Sequence, residues 1–544
     1  MIFQFYDADC LAIVPIFVNT GAALLPAVLG ALASVLAVVL RPRELLGLCR
    51  RKPYIPVLVV LAGIGIYFLG AMLLAGTDKT SAGKKHTQTG QISAGSTGID
   101  WAKVALEILR NQHLANEPDI TAVVPASQDG PAAPRIYRGD TSRCGYTGGP
   151  SPVGLVGLWE FSEPDTMYPS SPVAVGDCVY GASCLLDPPE TYGIIFCLDA
   201  QTGRQRWLTD LKDPDTEAEF KGFFSSPAVS ADGKYLVIGQ GMHFDDNCEL
   251  VCLDARTGRV HWLFETPLHI EGSPAIEGDI VVAGAGAIET GDSQKPKGHP
   301  GFVFAVRLSD GKELWRYQIN DPESSPAIDN GIVYIGSGVN GSAVVALRTE
   351  SDEVLREKGL ERLIWNIPTP HPATGAVTLT DDLVLIGCGN SNYVFVAPNP
   401  EGFVLALEKP TGKLKWKVPV PDAVLGAIAV RNDIAICPVR NGEIIALDLK
   451  NSGSVLWRQR VHNNEPVLAG AALTENFAYV VSRDGYMLIL NIEDGSVIEK
   501  QYINARGRPG EMGLSISSPF VANGRVYVGS ETGGLRCFVG KELK

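Results

Sequence analysis

The sequence predicts an all-β fold, an eight-bladed β-propeller with four-stranded antiparallel blades, preceded by an N-terminal two-helix transmembrane hairpin. Three observations carry this. A run of small residues leading into a short apolar strand recurs eight times between Ser170 and Val528. An Asp-x-x-Thr-Gly or Asp-Gly turn running into Trp closes most copies. Two long apolar stretches, residues 24–40 and 55–75, stand far upstream of the repeats.

The openings read SSPVAVGDCVYGAS, SSPAVSADGKYLVIG, GSPAIEGDIVVAGA, SSPAIDNGIVYIGS, ATGAVTLTDDLVLIG, LGAIAVRNDIAICPV, LAGAALTENFAYVVS and SSPFVANGRVYVGS. A period of roughly 40 to 55 residues with several short strands in each is the signature of propeller blades. The closings LDAQTGRQRW, LDARTGRVHW, RLSDGKELW, EKPTGKLKW and LDLKNSGSVLW set a turn residue before an outer strand. Glycine reaches positive φ there without steric cost. The wide rings at this place, Trp207, Trp262, Trp315, Trp365, Trp416 and Trp457, are expected to wedge neighbouring blades together, and in blade seven the position falls on Ile498. The eighth copy stops at Lys544 without an outer strand, whereas LVGLWEFS around Trp159 has the outer-strand pattern and precedes the first opening. Closure is therefore expected by pairing this N-terminal strand into the last blade, which removes an exposed sheet edge.

Ser-Pro-x-Val, an apolar strand ending in Gly-Ser, and Leu-Asp-Ala-x-Thr-Gly-x-x-x-Trp together resemble the pyrroloquinoline quinone (PQQ) propeller repeat. Quinoprotein dehydrogenases share this repeat with non-catalytic relatives such as the lipoprotein of the outer-membrane barrel assembly machinery. The resemblance spans about residues 135–540, with RIYRGDTSRCGYTGGP similar to the lead-in of such rings. It implies the fold strongly and function weakly, because one scaffold hosts unrelated activities. On the catalytic side it places Asn390, in IGCGNSNYVFVAPNPEG, where quinoprotein alcohol dehydrogenases hold the calcium beneath PQQ. The adjacent cysteine pair of those enzymes has no counterpart, and no catalytic Asp or cofactor-holding Lys and Arg can be matched.

The expected organisation is a two-helix membrane anchor over residues 1–76, a flexible linker with a short amphipathic helix over 77–150, and the propeller over 151–544. About 20 apolar residues cross a bilayer core, so both N-terminal runs qualify. A cleaved signal would start with a basic segment, and MIFQFYDADC is acidic. Between the runs lie Arg41, Arg43, Arg50, Arg51 and Lys52 against Glu44. Basic short loops stay cytoplasmic, which puts the chain in the inner membrane, multi-pass, with the ring on the periplasmic or extracytoplasmic side. Residues 77–98 are Gly, Ser, Thr, Lys and Gln in tether-like proportion, and IDWAKVALEILRN, with Asp100 as its cap, reads as a helix packed on the ring. The tripeptide Arg138-Gly139-Asp140 is short enough to recur by chance.

A net charge of −14, without a basic run outside the N-terminal loop, excludes nucleic acid as a partner. Phosphate-loop, nucleophile-elbow and His-Glu-x-x-His motifs are absent from the sequence. Eleven cysteines are too scattered for a disulfide-built fold, and without a Cys-x-x-Cys they build neither zinc nor haem sites. Cys178 with Cys184 and Cys248 with Cys252 are the pairs open to bridging in an oxidising compartment.

In a propeller the loop between the second and third strands of each blade opens on the same face as the blade-to-blade connections. Blades one, two, three and five carry insertions in that loop, and rigid scaffolds place recognition on such loops. Candidate ligand-binding residues on this face are His243, His269, Glu271, Glu323, His371, Asn390, Glu465 and Glu511, with His462 beside Glu465. Imidazoles and carboxylates converging on a channel mouth suit a cation or an ionic ligand; capping of strand ends is the plainer alternative. The sequence therefore favours a membrane-anchored scaffold that binds an envelope protein or a small ligand without a cofactor. The alternative is a PQQ- and calcium-dependent membrane dehydrogenase of alcohols or sugars. A third reading is a polysaccharide-binding face using Tyr192, Phe244, Tyr393 and Phe395.

Overall fold

The computed structural model describes residues 136–541, apart from 188–189, 211–219, 244, 287–300, 462–463 and 509. The hairpin, the tether, the amphipathic helix, Phe244, His462 and most of the blade-three insertion lie outside the described residues. Among those described, no helix is long and apolar enough to cross a membrane.

Eight four-stranded antiparallel sheets make up the ring, each a meander from an inner first strand to an outer fourth. The middle strands are apolar throughout: Ile332–Ser337 and Ala343–Arg348 of blade four are buried along nearly their whole length. Both faces of these strands meet a neighbouring blade, which removes the alternation of a half-buried strand. Fourth strands alternate instead, as in Glu313–Gln318, where Trp315 is buried between exposed neighbours. Blade four adds a short helix, Asp352–Lys358, capped by Ser351 and ended by Gly359 at φ 64°. Blade eight takes its fourth strand, Leu155–Phe161, from the start of the ring, paired antiparallel to Leu535–Gly540, as the sequence predicts.

Each Trp stands opposite a small residue of its own third strand, just before a bulge: Cys197 for Trp207, Cys252 for Trp262, Ala406 for Trp416. The indole N–H then donates to a turn carbonyl of the next blade, as from Trp207 to Ala255 (3.0 Å), Trp262 to Leu308 (2.7 Å) and Trp365 to Lys409 (2.9 Å). Trp159 does the same to Ala200 across the closure, at 3.1 Å. The glycine of the following turn has to face the ring: a Cβ on Gly258, at φ 73°, would lie 2.5 Å from Trp207. The Thr-Gly turn and the Trp of the preceding blade are thus one interlock. Trp416 is the exception, with an indole nitrogen that has no partner among the described residues. The turn it faces, from Asp448 to Gly453, is one residue longer than its equivalents.

Blade seven corrects the sequence reading. Glu499, not Ile498, stands opposite Ile489 in the Trp position, four residues after Gly495 just as Trp457 is four after Gly453, and Ile498 faces solvent. The Glu499 carboxylate accepts the N–H groups of Gly154 (2.6 Å) and Leu155 (2.8 Å). The physical reason is the closure itself. Blade eight has no turn into its fourth strand, so it offers N–H donors from a strand start where other blades offer a turn carbonyl.

The lead-in is not an outer segment but a plug. Backbone carbonyls of Thr141, Ser142, Cys144 and Gly145 accept from Ile328, Leu379, Val430 and Leu473, innermost-strand residues of blades four to seven. Those edges would otherwise leave unpaired N–H groups in the channel. Arg143, fully buried, donates to Pro326 O (2.5 Å), Ser273 O (2.6 Å), Pro274 O (3.0 Å) and Tyr137 O (3.1 Å). Burial pulls its pKa down to about 9, which still leaves it charged at neutral pH. Arg138 reaches the carbonyls of Ala471 and Ile428. The Arg-Gly-Asp tripeptide therefore has its Arg buried at 4 % exposure.

All nine cysteines of the described residues are free thiols. Cys248 and Cys252 lie four residues apart on one strand, about 13 Å at 3.3 Å per residue and beyond disulfide reach.

Candidate functional site

Antiparallel meanders put the second-to-third strand loops and the blade-to-blade connections on one face. There the structure gathers four of the eight candidate residues, from the loop of blade two and the entries to blades three and four. The His269 Nε2 lies 3.1 Å from Glu323 Oε1. Glu271 Oε1 accepts the backbone N–H of His243 at 2.6 Å and stands 3.5 Å from its Nδ1. Ligand atoms of His269, Glu271 and Glu323 all lie within 4.8 Å of one another. Exposure rises across the group, the side chains being 0 % exposed at His269, 15 % at Glu323, 19 % at Glu271 and 36 % at His243.

Burial lowers the His269 pKa against the opposing pull of Glu271 and Asp321, which keeps the imidazole neutral. At Glu271 burial pushes upward. The hydrogen bond from His243 and the fields of His269 and His243 outweigh it and hold the carboxyl below its usual range. Gly286 packs against the pair so closely that a Cβ there would sit 2.5 Å from His269 Nε2.

The other four candidates stand apart. His371 pairs with Glu401 at 2.7 Å and stacks on Phe403. Glu465 lies 3.8 Å from Arg483. Glu511 is exposed, and its backbone N–H donates to Glu531 at 2.7 Å. Asn390 spends both ends of its amide inside its own loop, donating to Asn399 O (2.8 Å) and accepting from Glu401 N (2.8 Å).

Three buried groups escape a reading by residue type. Glu531 is 8 % exposed and accepts backbone N–H groups from Glu511, Met512 and Leu514, which folds the last blade entry around one carboxylate. Arg440 and Asp422, both 3 % exposed in their side chains, face each other at 3.8 Å. Arg440 also donates to Asn392 O at 2.6 Å, bracing the blade-five loop from below. That loop carries the largest apolar display of the described residues: Val394 is 64 % exposed, Phe395 71 % and Val396 58 %. It is built rather than loose. The Asn392 side-chain oxygen accepts from Val394 N (2.9 Å) and Phe395 N (2.7 Å), and Asn392 N donates to Phe395 O (3.0 Å). Beside it the Tyr393 hydroxyl points inward to Leu425 O at 3.5 Å. Burial, then the fields of Tyr137, Glu271 and Glu323, push its pKa up, so the phenol stays neutral and shares the channel mouth with the His and Glu group.

The model of a repeat family, described as outer membrane protein assembly factor BamB, matches residues 158–390 and 385–542. The chain belongs to this PQQ-type propeller family. The BamB of Yersinia pestis is 25 % identical over 64 % of this chain and 80 % of its own length. A polyvinylalcohol dehydrogenase of a Pseudomonas species is 24 % identical over 56 % of this chain and 46 % of that enzyme. Among solved structures, BamB from Moraxella catarrhalis superposes with a TM-score of 0.50 at 16 % identity, covering 72 % of this chain and 99 % of that one. The quinohemoprotein alcohol dehydrogenase from Comamonas testosteroni reaches 0.55 at 13 % identity, covering 76 % and 82 %. These structures share the fold. Family membership thus spans scaffold and enzyme, and the site has to separate them. Asn390, to which the enzymatic resemblance assigns a calcium role, holds its own loop closed through its amino group and one lone pair of its oxygen, which leaves one lone pair for a cation.

Proposed function

We propose that this chain is a scaffold of the cell envelope, held to the inner membrane by the hairpin of residues 1–76, whose loop face docks a protein partner. The observation that carries the reading is the braced apolar loop Val394–Val396. Contiguous exposed apolar side chains on a soluble surface mark interaction sites, and holding them in one conformation lowers the entropy lost on docking. Relatives named as outer membrane protein assembly factors support an envelope protein as the partner. Relatives named as dehydrogenases support the other branch, for which the structure offers Asn390 alone in register, its side chain engaged in closing its own loop.

The test is site-specific photo-crosslinking in intact cells, with the reactive residue at Phe395 and, as a control, at exposed Ile498. Phe395 is expected to give a discrete adduct with an envelope protein that disappears on Val394→Asp, while Ile498 gives none. Equal labelling from both positions, or none from Phe395, would overturn the reading. Reporter fusions after residues 50 and 80 check the anchor: cytoplasmic activity at the first and extracytoplasmic activity at the second are expected.

A further inference from the structure

We propose that His243, His269, Glu271 and Glu323 form a binding site for a zinc-like divalent transition-metal ion at the channel mouth. The geometry comes first. Ligand atoms of His269, Glu271 and Glu323 lie within 4.8 Å of one another, with the His269 to Glu323 contact at 3.1 Å. A tetrahedral ion with bonds of about 2.0–2.1 Å sets its ligands about 3.4 Å apart, so small side-chain rotations close the set. His243 supplies the fourth position from the rim, its Nδ1 being 3.5 Å from Glu271 Oε1.

The surroundings of His269 decide which of its nitrogens can serve. His269 is wholly buried, yet its Nδ1 has no hydrogen-bond partner among the described residues. Nε2 is therefore the ring nitrogen with a polar contact among the described residues, and it is the one that faces the carboxylates. Here the ring is turned so that Nε2 meets a carboxylate, and the closely packed backbone of Gly286 fixes it there. Two imidazoles with two carboxylates favour zinc, cobalt or nickel over calcium, which takes oxygen ligands. The gradient of exposure from His243 down to His269 gives the ion a way in. This site does not involve Asn390, and it stands or falls independently of the docking loop.

The test uses the full-length chain stripped with a chelator and titrated with zinc, followed by cobalt as the spectroscopic substitute. Expected are one equivalent of bound zinc, intense visible bands of four-coordinate cobalt, and an affinity at least tenfold lower in Glu323→Gln and in His243→Asn. Glu401→Gln, which alters the separate His371 pair on the same face, should leave the titration unchanged. Because His269→Ala removes a buried ring, His243→Asn at the exposed rim decides the matter if the deeper variants misfold. Absence of zinc binding at micromolar concentration, binding insensitive to both variants, or binding of calcium in place of zinc would each overturn the assignment.

Discussion

Replacing Arg143 with Met tests whether the lead-in holds the ring or merely occupies it. The guanidinium donates to four carbonyls, at Pro326, Ser273, Pro274 and Tyr137, from a position with 0 % exposure. Methionine fills a similar volume and offers no donor. Each orphaned buried acceptor costs about 1 kcal/mol, the low end of the usual range because a carbonyl keeps a second lone pair. Four of them give about 4 kcal/mol, part of which is offset because a cation no longer has to be desolvated. Unfolding about 400 residues at about 2.1 cal/mol/K each gives an entropy near 0.84 kcal/mol/K, so the melting temperature should fall by about 5 °C or somewhat less.

A local readout separates this from general weakening. Amides of Ile328, Leu379 and Val430 are bonded to lead-in carbonyls, so hydrogen exchange at these three should accelerate while fourth-strand amides such as those of Glu313–Gln318 stay protected. Arg143→Lys keeps the charge but not the fork of donors, and should recover only part of the loss. Unchanged melting together with unchanged protection at Leu379 and Val430 would refute the plug as a structural element.

Three further outcomes are expected. Glu499→Ala removes the acceptor for Gly154 and Leu155; it should cost about 2–3 kcal/mol and free the amides of Leu155–Phe161 first in hydrogen exchange. Trp365→Phe should destabilise more than Trp416→Phe by about 1 kcal/mol in denaturant titrations, because both rings are 7 % exposed and only Trp365 donates a hydrogen bond. Glu249 stands directly opposite Glu265, and burial followed by that like charge raises its pKa to about 7. A carboxyl raised in the fold keeps its proton there after the unfolded chain has lost it, so its penalty begins above about pH 4.5 and is complete above about pH 7. Glu249→Gln should match the parent at pH 4 and exceed its stability at pH 8, by about 1 kcal/mol once solvent screening of a half-exposed pair is allowed for.

Blade number, closure by the strand around Trp159 and the Trp interlock were all legible, because they rest on residues whose backbone or ring geometry leaves few choices. The blade-seven substitution was legible by spacing but not by residue type: four residues on from Gly495, as from Gly453 to Trp457, stands Glu499, whereas the expectation of an apolar residue in place of Trp points to Ile498. The plug was illegible for another reason. Residues 136–147 act through backbone carbonyls and two arginine forks, which leave no apolar period to read. At the candidate site, repeat position told which residues lie on the working face but not which of them meet. His243, His269, Glu271 and Glu323 converge because they come from consecutive blades two, three and four, whereas His371, Glu465 and Glu511 are set at other angles around the ring. Asn390 shows the converse: a match in sequence register whose side chain closes its own loop.

The same geometry narrows where a partner can bind. Among the described residues, lead-in carbonyls bond one inner-strand N–H in each of blades four to seven, and the lead-in arginines reach carbonyls beside the inner strands of blades three, four, six and seven, so an extended segment would meet an edge already occupied there. The rim offers fourth strands with Leu158, Leu263, Leu414, Leu456 and Val497 exposed at 39–48 %. Besides single residues, the rim carries two consecutive pairs, Val455-Leu456 and Val497-Ile498, exposed at 41–45 %, each in a different blade and no longer than two residues. Val394, Phe395 and Val396 differ in forming a run of three, in being more exposed and in being fixed by Asn392 and Arg440. The buried Arg440 and Asp422 pair beneath them carries a desolvation cost that packing alone does not require. A site held in place by such a pair is one whose shape matters, which agrees with the docking contact proposed for the loop face of blade five.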